Sequence, residues 1–453
     1  MEFLDKKILI AGLGKSGLSA ARWLSGAGAE VTVSDIKTEV EINHSIFSEA
    51  LSLGIKLETG IHRKETFLNS EMIIISPGVP YDSELLMEAR ARGIPVMGEM
   101  ELAGRLIDIP IVAVTGTNGK STATDLMGGM LKRAGLKVFV GGNIGTPFMD
   151  YLTDAQMADY AVLEISSFQL DSMETFCPYI SVLLNISPDH LDRYTDYDAY
   201  IRSKMKIFQN QGFGHYAIIN DDDKILSKYE FPPGLTILRY GLKERGNCQA
   251  FIKDKKMRAC LPGMGAVNFD LGGFVLQGTH NIQNLMSVVL VGLALRLDKQ
   301  IIQETIDHYR GLSHRLEFVK RVNNIDFYND SKATNVDAAL KSIMSFNRPV
   351  ILIAGGIHKG GKYSPLVRAA RDQVKKAVFL GEAKHLLAES FEGDVPFTLV
   401  EDMREAVSQA FSSAAPEDVV LLAPACASFD MFSDYAHRGR IFQAEVEGLA
   451  NGQ

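Results

Sequence analysis

The sequence predicts an α/β protein of three domains: a Rossmann-like N-terminal domain, a central P-loop-type ATPase domain on a mainly parallel sheet, and a Rossmann-like C-terminal domain. Three observations carry that expectation. A short apolar strand near the start runs into a GxGxxG turn and a helix. The stretch IVAVTGTNGKST, residues 111–122, repeats the order strand, glycine turn, helix around a lysine. Buried β-branched strands then alternate with helical patterns along the rest of the chain. At 453 residues the chain is too long for one core, and the patterns divide it at 1–98, 99–310 and 311–453.

In the first segment a strand at Lys7 to Ala11 is followed by Gly12, Gly14 and Gly17. A helix carrying Leu18, Ala21, Trp23 and Leu24 comes next, then a strand from Glu30 to Ser34 that ends at Asp35. This is the dinucleotide fingerprint, with an acid placed to hold a ribose hydroxyl, and taken alone it suggests a nicotinamide-dependent oxidoreductase. A further strand, Glu71 to Ser76, ends in SPGVP, and the stretch Ile94 to Met97 meets Gly98 shortly before the second glycine loop. That run of βαβ units is short for a dehydrogenase. It favours a module that holds the diphosphate of a nucleotide-linked substrate.

The central segment opens on the phosphate cradle. Gly116 and Gly119 let the backbone approach an anion, the following helix (Leu126, Met127, Met130 and Leu131 on one face) aims its N–H groups at it, Lys120 adds a charge, and Ser121 or Thr122 can hold magnesium. Val114 stands where the full Walker pattern has a glycine, so the match is its second half. After Lys137 to Val140 comes GGNIGTP, whose Asn143 faces the same cleft. The strand Ala161 to Ile165 puts Glu164 near its carboxyl end, where nucleotide-binding sheets hold magnesium. Ile180 to Ile186 leads into SPDHLDRY, which brings Asp189, His190 and Asp192 to the rim. His190 reads either as a structural donor or as a metal ligand. Tyr200 to Phe208 reads as a helix with Lys204 and Lys206 on a solvated face. The later helix in GTHNIQNLMSVVLVGLALRL buries Ile282, Leu285, Val289 and Leu293, and His280, Asn281 and Asn284 in its first turn either cap it or reach a nucleotide.

In the last segment Arg315 lies in a turn before the strand-like Phe318 to Val322 and Asp326 to Tyr328. NDSKATN follows, placing Asp330, Ser331, Lys332, Thr334 and Asn335 between strand and helix. Two buried strands, Val350 to Ala354 and Val419 to Ala423, end in GGIHKGGK and PACASFDMF and bring Lys359, Ser428 and Phe429 to carboxyl ends as well.

Composition excludes other classes. Hydrophobic content of 46% with 23% charged residues is that of a water-soluble globular protein, and no apolar run approaches the ~20 residues that span a bilayer. MEFLDKKILIAG passes straight into a strand, so secretion is not expected. Four scattered cysteines give neither a disulfide framework nor a zinc site, and a net charge of −8 argues against nonspecific nucleic-acid binding.

With these motifs assembled, the whole chain resembles the Mur ligases. TGTNGKST is common to that superfamily, which includes folylpolyglutamate synthase. ISSFQL, SPDHLDRY, NDSKATN and PACASFD are similar to the D-glutamate-adding type, and the DNPR motif of the next ligase is absent. The resemblance implies a cytoplasmic, monomeric enzyme that uses ATP and two magnesium ions to join D-glutamate to UDP-N-acetylmuramoyl-L-alanine through an acyl phosphate, with no nucleic-acid or membrane partner. It implies that Gly116, Thr117, Asn118, Gly119, Lys120, Ser121, Thr122, Asn281, Asn284, Arg315 and Asp330 hold ATP, and that Ser121, Glu164, His190 and a carbamylated Lys204 hold magnesium. It places Gly14, Lys15, Ser16, Asp35, Lys37, Ser76, Gly78 and Asn143 on the uridine substrate, and Lys332, Thr334, Lys359, Ser428, Phe429 and Tyr435 on glutamate. Lys120, His190, Lys204 and Lys332 are its catalytic group, and Lys362 competes with Lys359 as the glutamate partner. Two positions depart from the common pattern: Ile36, where a hydroxyl is frequent, and Tyr435, where phenylalanine is.

Overall fold

The strands expected from the sequence fall into three sheets, with helices in the connections between them. The computed structural model describes residues 2–153, 157–190, 193–276, 278–358, 360 and 362–449, so Asp192 and Lys359 of the sequence reading lie outside the described residues. The chain packs as two units. One runs to Leu271 and includes Gln283–Ile306, and the other comprises Gly272–Ile282 and the chain from Asp307 onward.

The first unit holds two sheets. Strands β1 (Lys7–Ala11), β2 (Glu30–Asp35), β3 (Lys56–Thr59), β4 (Met72–Ile75) and β5 (Val96–Gly98) pair in parallel in the order β3-β2-β1-β4-β5. The order reverses between β1 and β4, and the Gly12 turn stands at that switch point, where doubly wound sheets take ligands. Gly17 is needed for close approach, since a Cβ there would lie 2.1 Å from the Gly12 carbonyl oxygen. Sequence reading missed β3 because KLET is polar and only half-buried.

The second sheet contains β6 (Ile111–Thr115), β7 (Val138–Gly142), β8 (Tyr160–Glu164), β9 (Ile180–Leu183), β10 (Tyr216–Asn220), β11 (Thr236–Tyr240), β12 (Ala250–Lys253), β13 (Lys256–Ala259) and β14 (Val267–Asp270). Their order is β14-β13-β12-β11-β10-β9-β6-β8-β7, parallel from β7 to β12 and antiparallel at the last two pairings. Three acids join the two sheets' helices. Glu101 accepts from the backbone N–H groups of Glu174, Thr175 and Phe176 at 3.1, 3.0 and 3.0 Å. Glu99 accepts from Met149 N at 2.7 Å, and Asp150 accepts from Ser19 Oγ at 2.5 Å and Arg22 Nη1 at 2.9 Å.

The second unit carries β15 (Glu317–Val322), β16 (Ile325–Asn329), β17 (Val350–Gly355), β18 (Val374–Leu380), β19 (Phe397–Leu399) and β20 (Val419–Leu422), ordered β15-β16-β20-β17-β18-β19. Among these six strands only the β15–β16 pairing is antiparallel. Alternate residues of β17 and β20 feed two cores, Leu352 and Leu421 on one face and Ile351, Ile353, Val420 and Leu422 on the other. Burial on both faces explains why these strands read as continuous apolar runs. Among the described residues no helix is long and apolar enough to cross a membrane.

Candidate active site

The phosphate loop joins β6 to the helix Lys120–Arg133. Gly119 caps that helix with φ +86°, and a Cβ there would press within 2.5 Å of Asn284 Oδ1, so glycine is required on both counts. The same contact brings Asn284, predicted for ATP, against the loop. Asn281 lies one turn earlier on the helix Thr279–Ala294 and is buried. The loop is pinned by Asn185, which the sequence reading missed: its Oδ1 accepts from Asn118 N at 2.9 Å and its Nδ2 donates to Asn118 O at 3.0 Å. Thr117 Oγ1 lies 3.0 Å from the hydroxyl of buried Tyr200 and accepts from Ser187 N at 3.0 Å.

Behind the loop the structure brings together three predicted residues. Ser121 Oγ donates to Glu164 Oε2 at 2.5 Å, and Asn143 Nδ2 donates to Glu164 Oε1 at 2.7 Å. Glu164 is buried at the end of β8, and both of its carboxylate oxygens accept hydrogen bonds there. Asn143, expected on the uridine substrate, is thus joined to the phosphate-loop groups.

Lys204 overturns its sequence reading. The expected helix Tyr200 to Phe208 is a helix Tyr197–Met205 followed by the 3-10 turn Lys206–Phe208, and Lys204 faces inward, 2% exposed, rather than into solvent. Its Nζ donates to Gly116 O at 2.9 Å and stands 4.9 Å from the Tyr200 ring centroid. Burial first and then the charge of Lys120 hold its ammonium well below the ordinary lysine range, against the opposing pull of Asp189, Glu164 and Asp171. Lys206 also turns from open solvent and donates to Asp171 O at 2.9 Å.

His190, at φ +54°, sits with Nε2 3.7 Å from Asp189 Oδ2 and its ring 4.7 Å from that of Phe168. Among the described residues no three His, Cys, Asp or Glu side chains stand as a preformed metal cluster. The donors present are nonetheless hard oxygens, a hydroxyl, a carboxylate and an amide, beside a phosphate loop, and that chemistry fits magnesium. Arg193, also missed, packs its guanidinium 4.5 Å over Phe168 and donates to Gly78 O at 3.0 Å and Pro77 O at 3.3 Å, tying the SPGVP turn to the His190 loop. At the first switch point Asp35 accepts from Leu13 N at 2.6 Å and Lys37 N at 2.8 Å, and Ser76 Oγ donates to Gly12 O at 2.7 Å. Gly14 caps the helix Lys15–Gly26, with Lys15 and Ser16 in its first turn, so backbone N–H groups point into this turn.

The second unit collects its own predicted group. Lys332 Nζ lies 3.8 Å from the Tyr435 ring centroid, and Ser331 Oγ donates to Tyr435 O at 2.8 Å. Asp330 is buried and receives the Ser342 hydroxyl, while burial pushes its carboxyl up. Ser428 is buried and accepts from Phe432 N at 2.9 Å, whereas Phe429 is 70% exposed. Arg438, which the sequence reading did not single out, is 1% exposed and donates to Ser331 Oγ and Ser331 O, both at 2.9 Å, and to the carbonyls of Gly355, Cys426 and Ala427 at 3.3 Å. It joins the loops after β16, β17 and β20, and burial lowers its guanidinium to about 10.

Comparison with known proteins adds three domain matches: "Mur ligase MurD-like, N-terminal domain" over residues 6–98, "Mur ligase middle domain" over 114–292 and "Mur ligase, glutamate ligase domain" over 314–426. The UDP-N-acetylmuramoylalanine--D-glutamate ligase of Desulfosudis oleivorans is 41% identical, covering 100% of this chain and 98% of that protein. The protein of the same name from Koribacter versatilis is 40% identical over 99% of each. Among solved structures, a pseudomurein peptide ligase type C from Methanothermus fervidus matches with a TM-score of 0.60 at 19% identity, over 98% of this chain and 100% of that one. The UDP-N-acetylmuramate-alanine ligase of Thermotoga maritima matches with a TM-score of 0.59 at 18% identity, over 99% and 100%. The two structures share the fold.

Proposed function

Because this chain belongs to the Mur ligase family, we propose that it joins D-glutamate to UDP-N-acetylmuramoyl-L-alanine, converting ATP to ADP and phosphate. It is an ATP-dependent ligase of peptidoglycan precursor synthesis. The observation that carries the reading is the Ser121–Glu164 contact behind the phosphate loop, beside a lysine stripped of solvent, on a chain whose full-length relatives bear that ligase's name. We retain the division at 1–98, 99–310 and 311–453 as the assignment of uridine substrate, ATP and glutamate to successive domains, in a cytoplasmic monomer.

In the reaction the alanyl carboxylate attacks the γ-phosphorus of ATP and ADP leaves. The amine of glutamate then attacks the acyl phosphate carbon, and the tetrahedral adduct collapses as the amine loses a proton and phosphate departs. No side chain serves as nucleophile. The requirement is neutralisation of charge at fixed positions. Lys120 Nζ now rests on the carbonyls of Gly116 and Thr117, each at 2.9 Å, and exchanges them for phosphate oxygens when ATP enters. Magnesium, in two ions, would be held by Ser121, Glu164, His190 and Lys204 as its carbamate, and supplies Lewis-acid neutralisation of phosphoryl charge. A neutral lysine amine is the form that adds carbon dioxide, and burial moves Lys204 toward it. His190 or the adjacent Asp189 is the candidate acceptor of the glutamate proton, and Lys332 balances the oxyanion.

In the oxidoreductase alternative the Gly12 turn would hold a nicotinamide, and the phosphate loop would then have no role. Mass spectrometry of the uridine product tests the choice: a gain of one glutamate less one water, requiring ATP, is expected. Recovery of unchanged substrate would overturn the reading.

A further inference from the structure

Beyond the residues assigned above, a polar chain crosses the core of the second unit. Tyr363, 4% exposed and directly before the helix Ser364–Gln373, has its hydroxyl 2.9 Å from His358 Nδ1 and 3.0 Å from Cys426 Sγ. His358 follows β17 and Cys426 follows β20. Ile357 and Ala427, the residues beside them, pair across the same gap, exchanging N–H to carbonyl bonds at 3.0 Å in both directions. A phenol donates once and accepts once, so this hydroxyl can serve one neighbour as donor and the other as acceptor. Its ring packs in the apolar core that also contains Cys426. A hydroxyl is not needed for that packing; phenylalanine would fill the space.

We propose that the His358–Tyr363–Cys426 chain is a positioning device for the amino-acid acceptor: it fixes the turn after β17 against the strand end that carries Ser428, two residues beyond Cys426. This rests on the assignment of Ser428 to glutamate made above. Tyr363 touches no reacting atom. Its oxygen adds to the backbone pairing a side-chain tie that sets the spacing of the two loops.

The experiment uses the full chain and compares Tyr363→Phe, Cys426→Ser and Cys426→Ala with the parent. Tyr363→Phe raises KM for D-glutamate about fivefold, the effect of one hydrogen bond, while KM for ATP and for the uridine substrate stays within about twofold. Cys426→Ser, which keeps a hydrogen-bonding group, stays near the parent. Cys426→Ala matches Tyr363→Phe, and the double variant adds nothing further. An unchanged KM for D-glutamate in Tyr363→Phe, or an equal rise for all three substrates, overturns the proposal. Alkylation of Cys426, followed by peptide mass mapping, reads the chain without turnover: it quickens in Tyr363→Phe, and an unaltered rate removes the tie itself. Failure of the parent to use D-glutamate strikes instead at the functional assignment, and the alkylation result then still decides whether the tie exists.

Discussion

Lys120 and Lys204 share one acceptor: both Nζ atoms lie 2.9 Å from the Gly116 carbonyl oxygen. Two ammonium groups converging on one carbonyl repel, and Lys204, the fully buried one, has its ammonium held well below the ordinary lysine range, by burial first and then by the charge of Lys120. The phosphate loop therefore gathers two lysines, and burial disfavours the charged form of Lys204.

Replacement of Lys204 by arginine tests this directly. Guanidinium stays charged in proteins and cannot become a carbamate. We expect Lys204→Arg to lose at least ~100-fold in kcat, the scale on which loss of a charge-stabilising group acts, although formal charge is preserved. Turnover at parental rate would show that a neutral lysine is not needed.

Glu164→Gln keeps the shape of the Ser121 and Asn143 contacts and removes the charge. The magnesium concentration for half-maximal phosphate release should rise ~10- to 100-fold, as expected when a metal site loses one of its acids. An unaltered magnesium requirement would place the metal elsewhere.

Lys332 over Tyr435 should steady the glutamate-side cation. Tyr435→Phe keeps the aromatic face and should leave KM for D-glutamate within about twofold. Tyr435→Ala should raise it ~5-fold, corresponding to about 1 kcal/mol of cation–π attraction. Equal effects of the two substitutions would assign the role to the hydroxyl.

Stability should carry a pH signature from Glu99. Burial foremost, with the Asp150 charge adding, raises this carboxyl to about 7, and the N–H of Met149 offsets only part. A raised folded-state value means that the contribution is fully present below the unfolded carboxyl's range near 4.5 and is lost as pH rises through about 7. The change is on the order of 3 kcal/mol. Denaturant unfolding of Glu99→Gln between pH 5 and 8, at about 0.5-unit steps, should be flat where the parent declines. Parallel curves would contradict the assignment.

Legibility in the sequence followed the range of the interactions. The cradle from Gly116 to Thr122 and the turn from Gly12 to Gly17 are local: strand, glycines and helix dipole are contiguous, so residue order alone specifies them. The positions of Lys332 and Ser428 beyond β16 and β20 were legible, because parallel sheets gather their strand ends at one edge. Lys204 was not, since a lysine in YIRSKMKIF looks solvated until the phosphate loop, 88 residues earlier, closes over it. Asn185, Arg193 and Arg438 bond partners 67, 115 and 107 residues away, and their polar side chains carry no periodic signal of burial. The strand β3 was hidden by its edge position, which leaves polar residues where an apolar pattern would have marked it.

Ligation of D-glutamate is read most directly from phosphate release from ATP with magnesium and UDP-N-acetylmuramoyl-L-alanine, comparing D-glutamate, L-glutamate and no amino acid. Release is expected with D-glutamate, and a background rate in the other two. Release indifferent to the amino acid, or absent with all three, would contradict it.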